Sequence, residues 1–251
     1  MTEWRLFADW HTHTTYSDGK GSIAMNARAA AERGLSEVAI TDHAPNNLGV
    51  GMKRPEFTLA EMRSAIERCN QAQPATKVLL GVEANLISHD GDLDLPPKLQ
   101  KQLDLLAVSL HPLVKPSNWW DGARMFLPNL LERATGFRSR RLRNLNTKAL
   151  VSAVYRHDVS FVAHPGLWID IDTRELAEAC VRRNTALEIN CNHADRLAGY
   201  VQAAMPSGVD FVINTDAHVP SAVGRQEAGI ALARRLQLDP ERIRNAKILR
   251  K

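Results

Sequence analysis

No apolar run in the sequence approaches the ~18 residues that a membrane-spanning helix requires, so an integral membrane protein is not indicated. Cysteine is scarce. Cys69, Cys180 and Cys191 are widely separated, odd in number and form no Cys-x-x-Cys pair, which argues against a disulfide framework and for reduced thiols. The opening stretch MTEWRLFADWHTH lacks the basic start, apolar core and small-residue cleavage site of a secretory leader. Together these absences predict a cytoplasmic protein. Tandem repeats, low-complexity tracts and Pro/Gly linkers are also missing, so residues 1–251 are expected to form a single domain.

What is present is ordinary for a soluble globular enzyme: 44% hydrophobic and 24% charged residues. The net charge of +4 is unevenly placed. From Lys115 to Lys148 there are eight Lys/Arg against Asp121 and Glu132, a local +6 that leaves about −2 for the rest. Such a patch reads either as a surface for an anionic partner or as a solvated helix face.

Short β-branched apolar runs alternate with amphipathic stretches. Strands are predicted at Leu6–Trp10, Glu37–Ile40, Lys77–Val82, Leu105–Leu110, Ser160–Ala163, Ala186–Ile189 and Asp210–Asn214. Between them, Ser22–Arg33 reads as a helix with a Ser cap and Gly34 past its end. Thr58–Cys69 carries a capping-box pattern, Thr58 with Glu61, and Thr173–Arg183 is capped by Asp172 or Thr173. Seven strand–helix units predict an α/β fold with a parallel sheet and right-handed crossovers, better suited to a closed or nearly closed barrel than to an open sheet. Two interruptions stand out. Glu83–Pro96 reads as a hairpin turning at Asp90-Gly91. Val114–Asn146, holding Trp119, Trp120 and most of the arginine excess, is too long for an ordinary connection and suits a lid or binding segment.

The first strand runs into Asp9-Trp10-His11-Thr12-His13, and residues two apart on a strand share a face, so His11 and His13 can hold one ion together. Nine histidines in 251 positions give roughly 0.3 such pairs by chance, so the pair needs context. Asp18 follows in Ser17-Asp18-Gly19. The later strands end in Thr41-Asp42-His43, Gly81-Val82-Glu83, Leu110-His111-Pro112, Ala163-His164-Pro165 and Thr215-Asp216-Ala217-His218. Six of seven predicted strands thus finish in His, Asp or Glu, and in a barrel those ends converge on one rim. A single such His is more often a hydrogen-bonded structural residue; six together predict metal binding. The other three read differently. His89 should be exposed beside the hairpin turn, His157 should end a helix as a dipole-favoured cap, and His193 has the weaker expectation of facing the same rim and touching substrate.

In order, HTHTTYSDG at 11–19, TDH at 41–43, GVEAN at 81–85, SLHP at 109–112, AHPG at 163–166, LEIN at 187–190 and TDAH at 215–218 resemble the PHP (polymerase and histidinol phosphatase) family over nearly the whole chain. The resemblance implies a distorted, TIM-like (β/α)7 barrel with a site for up to three metals. It implies that His11, His13, Asp216 and Glu83 hold one metal, that Glu83 bridges to a second held by His111 and His164, and that Asp18, His43 and His218 hold a third. Glu188 is not a metal ligand in this pattern and is expected to be structural or to support the ligands from behind, and Asp9 to orient a ligating histidine. The insert at about 114–146 departs from the pattern and leaves the substrate open.

Mixed imidazole and carboxylate ligands suit two or three divalent ions, Zn²⁺, Mn²⁺ or Fe²⁺. Ions about 3.5–4 Å apart can lower the pKa of a shared water, so the expected catalyst is a metal-bound water held by His11, His13, Glu83, His111, His164 and Asp216. No Ser or Cys nucleophile with an adjacent base stands out. Lys20, Arg124 and Arg225, with His193, are candidates for holding the substrate's anionic part, although each cation also reads as ordinary surface. The expected activity is a phosphatase or phosphodiesterase acting on small phosphorylated metabolites or nucleotides, with nucleic acid as an alternative substrate and no membrane partner. Two competitors are an amidohydrolase-like hydrolase, since such ligands also polarise carbonyls, and a nucleic-acid-binding module using the insert. Trp119-Trp120 can stack on a base, but burial against the barrel is the stronger expectation.

Overall fold

The computed structural model describes residues 3–72 and 75–249. β1 (Trp4–Leu6) pairs antiparallel with β9 (Ala246–Ile248) from the far end of the sequence. Between them β2 (Ala8–Asp9), β3 (Glu37–Ile40), β4 (Lys77–Asn85), β5 (Leu105–Ser109), β6 (Phe161–Val162), β7 (Ala186–Asn190) and β8 (Phe211–Asn214) make one parallel sheet in chain order. The expected first strand Leu6–Trp10 is therefore two strands. It breaks at Phe7, whose N–H turns away to donate to the Asn245 carbonyl at 3.0 Å.

The sheet curls into a nearly closed barrel. Past the strand ends Thr12 bridges Ala217 in parallel, with His13 N–H donating to Ala217 O at 2.8 Å. Below that bridge the seam between β2 and β8 is joined by side-chain amides. Buried Asn245 donates to Ala8 O (3.0 Å) and Ile213 O (2.7 Å) and accepts from Ile213 N (3.0 Å). Gln226 donates to the same two carbonyls at 2.9 and 2.7 Å. Buried backbone groups must find partners, and here two amides stand in for a strand pair.

Helices cover the outside. α1 (Ile23–Glu32) is capped by Ser22, which accepts from Met25 N at 3.3 Å, and turns Ile23, Ala27 and Ala30 inward. α2 (Pro55–Ala72) starts a turn earlier than expected. Pro55 suits a first turn, where its missing N–H has no partner to lose, and the Thr58 hydroxyl donates to Lys53 O rather than capping. α3 (Pro97–Gln100) is a single turn. The Glu83–Pro96 hairpin reduces to an isolated Leu86–Leu93 bridge. Its turn needs Gly91, at φ +89°, because a Cβ there would meet the backbone of Ala153.

The insert is helical: α4 (Trp119–Asp121), a π turn (Gly122–Phe126) and α5 (Leu127–Thr135), followed by the first turns of α6 (Arg140–Arg156). Asn129 and Asn146 exchange side-chain hydrogen bonds at 2.8 and 2.9 Å, fixing α5 on α6. Trp119 and Trp120 are 65% and 51% exposed, against the expected burial. Asp121 is drawn inward by Ser117, Asn118 and His89, which turns the two preceding side chains out to stack on each other, ring centroids 3.5 Å apart. α7 (Thr173–Arg183), capped by Asp172, α8 (Ala194–Ala204) and α9 (Glu227–Arg235) complete the layer. Among the described residues no helix is long and apolar enough to cross a membrane.

Inside the barrel the inward-facing residues change character up each strand: Ala39 to Thr41, Leu79 to Gly81 to Glu83, Leu105 to Ala107 to Ser109, Ala186 to Glu188 to Asn190, Val212 to Asn214 to Asp216. Phe161 and small alanines fill the base, so the inward-facing polar groups of these strands gather toward the C-terminal rim.

Candidate metal centre

Glu83 is the hub of the rim. It is fully buried, and five imidazoles surround it. Its Oε2 lies 3.5 Å from His11 Nε2, 3.7 Å from His13 Nε2 and 2.8 Å from His43 Nδ1; its Oε1 lies 2.9 Å from His164 Nε2 and 3.6 Å from His111 Nε2. Asp216 Oδ1 stands 3.1 Å from His13 Nε2 and 3.5 Å from His11 Nε2. Asp18 Oδ2 stands 3.3 Å from His218 Nε2 and 3.7 Å from His43 Nε2. The nine residues singled out from the sequence therefore meet at one mouth. Their ligand atoms fall into four overlapping groups: His13–Asp18–His43–His218, His11–His13–Glu83, His11–His164–Asp216 and His43–Glu83–His111.

Backbone geometry aims several of them. His164 and Asp216 adopt φ of +30° and +55°, left-handed values that cost a non-glycine residue about 1–2 kcal/mol each. Both sit just past a strand end, where the chain must bend for the side chain to face the axis. Asp18 is brought in by the Ser17-Asp18-Gly19 turn, which lies so close to His13 that a Cβ at Gly19 would strike its carbonyl. Asp42 ties that turn to β3 by accepting from Thr14 N (2.8 Å) and Thr14 Oγ1 (2.6 Å).

Behind the rim, acceptors fix the imidazole tautomers. Glu188 accepts from His11 Nδ1 at 2.8 Å and from His164 N at 2.8 Å, and is held by Asn190 and Asn214. Asn85 Oδ1 accepts from His111 Nδ1 at 2.8 Å, and its own amide is pinned by Asp94. Each bond leaves Nε2 turned to the mouth. Asn85 went unmarked in the sequence reading, although it stands two residues past Glu83 on the same face of β4. Asp9 orients no histidine side chain: it accepts from Thr215 N (3.1 Å) and Gly224 N (2.9 Å), pinning the first strand to the last.

The electrostatics are those of a packed ion cluster. Burial alone would raise the Glu83 carboxyl, but His43, His111 and His11 hold it well below its ordinary value. Asp216 is likewise held down by His11 and His13 against its burial. Burial opposes charge on His11, yet Glu188, Asp216 and Glu83 push it well above 6.5. His111 is carried by burial down to about 3. His218, despite burial, is raised to about 9 by Asp18 and Asp216, and Asp18 is lowered to about 2 by the histidines around it.

Cations fit this donor set. His11 Nε2, His13 Nδ1, His43 Nδ1 and Glu83 Oε2 are buried and without a hydrogen-bond partner among the described residues; the short His43–Glu83 approach is out of hydrogen-bond alignment. Four orphaned polar atoms in one buried cluster are expensive unless something they can ligate lies between them.

A cavity of about 390 Å³ opens over the cluster, lined by His43, His111, His164, Asp216 and His218 and by Leu130, Arg133, Trp168 and His193. His193 thus faces the rim as anticipated. Lys20, Arg124 and Arg225 do not line this cavity: Arg124 lies over Trp120 at 5.0 Å and lines a separate groove on the insert, because α5 turns that side of the helical run away from the mouth. Arg133 and Trp168, which line the cavity, are the side chains that sequence reading missed. His89 is part-exposed and hydrogen-bonds Asp121 at 2.6 Å. His157 is the C-cap of α6, as its position suggested, half-buried between Gln100 and the Gly91 carbonyl, and burial lowers its pKa.

The sequence matches the PHP domain family over residues 9–192. A probable phosphatase of Caldanaerobacter subterraneus is 30% identical over 97% of this chain and 89% of its own length. The DNA polymerase/3'-5' exonuclease PolX of Bacillus subtilis is 29% identical over 98% of this chain but only 40% of its own. Among solved structures, histidinol phosphate phosphatase of Lactococcus lactis, crystallised with zinc, L-histidinol and phosphate, shares the fold at a TM-score of 0.58 and 16% identity, covering 91% of each chain. This chain belongs to the PHP domain family.

Proposed function

We propose that the chain is a metal-dependent phosphoesterase acting on small phosphorylated molecules, with the nine rim residues holding two or three divalent ions, Zn²⁺, Mn²⁺ or Fe²⁺. In this reading residues 1–251 form one domain and the 114–146 insert roofs the mouth. The observation that carries it is the set of four buried, unpartnered ligand atoms, all belonging to the overlapping His/Asp/Glu groups of the rim cluster. The naming of the Caldanaerobacter relative and the zinc and phosphate bound by the Lactococcus neighbour support the same chemistry. When bound, the ions supply positive charge to phosphate oxygens and an acidified water at neutral pH.

The chain's own residues set up the rest. Glu83, with one oxygen toward each half of the cluster, can join two ions. Glu188 and Asn85 keep His11 and His111 in the tautomer whose Nε2 lone pair faces the mouth. Leu113, Pro112 and Leu130 line the cavity with apolar surface, and a less polar surrounding strengthens charge interactions. A thiol nucleophile has no support: Cys180 is buried and pushed up to about 12, and buried Cys191 is raised well above its ordinary value.

Exhaustive chelation with metal content verified, followed by readdition of each ion, tests the reading. Hydrolysis of a phosphomonoester should vanish and return, while a comparable amide stays intact. Full turnover without metal would overturn the proposal, and amide cleavage would move the chain to the amidohydrolase alternative.

A further inference from the structure

The mouth cavity has two kinds of wall. One is the imidazole and carboxylate cluster; the other brings together Arg133 from α5, Trp168 from the loop after β6, and His193 after β7. The Arg133 guanidinium lies 4.6 Å from the centre of the Trp168 ring, and Arg196 from α8 reaches the same ring at 5.1 Å. The His193 ring meets Trp168 edge-on at 5.6 Å.

Two guanidinium groups on one indole repel each other, and a cation–π contact is worth only about 0.5–2 kcal/mol. Two other arginines of this region have acids, Arg138 standing 3.9 Å from Glu132 and Arg143 bonding Asp172, while Arg124 lies on the separate groove of the insert. Among the described residues neither Arg133 nor Arg196 has an ion pair. A guanidinium laid on an aromatic ring keeps N–H donors available for a planar oxyanion. Cations held by the rim cluster would meet the charge of the phosphate under attack, which leaves this second positive wall in excess of one phosphate.

We infer that Arg133 and Trp168, with Arg196 packed on the same indole, form a specificity subsite for a second anionic group on the substrate, so that the preferred ester bears a carboxylate or further phosphate on its leaving group. The inference rests on the phosphoesterase reading and deepens it. Arg133 is supplied by the insert, which makes the insert a specificity element; the Asn129–Asn146 pair fixes the helix that carries it.

A matched pair of esters tests this: 4-carboxyphenyl phosphate and 4-carbamoylphenyl phosphate, equal in size and differing by one charge. The metal-loaded enzyme should prefer the carboxylate by about tenfold or more in kcat/KM, chiefly through KM, as one charge-assisted contact allows. Arg133→Met should remove most of that preference, costing the carboxylate ester far more than the carbamoyl ester; Arg196→Met should reduce it. The corresponding phosphonates, which are not hydrolysed, should show the same order in binding calorimetry. Equal turnover of both esters by the parent enzyme would overturn the subsite, as would an Arg133→Met loss shared equally by both, since that would place the guanidinium on the scissile phosphate. If neither ester is hydrolysed the phosphoesterase reading falls, and the phosphonate pair still decides the subsite: a carboxylate preference abolished by Arg133→Met upholds it, and no preference overturns it.

Discussion

Glu188 shows how one buried carboxylate shapes a candidate metal centre from behind. It touches His11, the His164 backbone, Asn190 and Asn214, and so fixes a ring and a strand end together. Glu188→Gln keeps the shape but removes the charge that holds the His11 proton on Nδ1. Metal affinity is expected to fall about 10–100-fold, with circular dichroism unchanged; a chelator-competition titration reads it, and unaltered affinity would show that His11 is oriented by other contacts. His218 gives a proton-linked prediction. In the metal-free protein Asp18 helps raise it to about 9, so near neutral pH it carries a proton that an ion must displace. Metal uptake should release protons below about pH 9 and fewer above it, and affinity should rise with pH over that range. Calorimetry in buffers of different ionisation enthalpy measures this directly, and proton-neutral binding at pH 7 would contradict it.

The elements were unequally legible in the sequence. Strand ends were readable because a parallel sheet sends every C-terminus to one rim, so His43, Glu83, His111, His164 and Asp216 mark those ends themselves. The seam was not. Asn245 and Gln226 replace a strand pair, and a side-chain amide taking a backbone role carries no periodic signal. Arg133 and Trp168 were equally silent, since what an arginine on a helix faces is decided by how the helix docks. Two predictions belong here. Asn245→Leu leaves the Ile213 N–H unpartnered and should cost about 1–3 kcal/mol, read as a lower denaturation midpoint. The His89–Asp121 pair anchors the start of the insert. The Asp121 bond raises the His89 pKa above 6.5, so its contribution is fully present below pH 6.5 and is lost as pH rises through the raised value. Proteolysis of the 114–139 segment should therefore quicken as pH rises across that range, and His89→Ala should abolish the pH dependence.

At the scale of the molecule, the mouth gathers six imidazoles and three carboxylates at the open end of an otherwise apolar barrel. Without cations it is held together by protons: His11, His43, His164 and His218 all have raised pKa values because carboxylates surround them. That arrangement couples stability to metal and to pH at once. A ligand at 100 times its dissociation constant adds about 2.7 kcal/mol per site, which for a chain of this size is about 5–10 °C in Tm. The sign with pH follows from the histidines. The metal-free fold draws on the protonated His218–Asp18 pair fully below pH 6.5 and loses it as pH rises through about 9. The metal-loaded fold has no such proton to lose. Differential scanning calorimetry of chelated and loaded protein between pH 6.5 and 9.5 should therefore show a Tm gap that widens with pH. A gap that stays constant or narrows would mean that the mouth histidines do not exchange protons for metal.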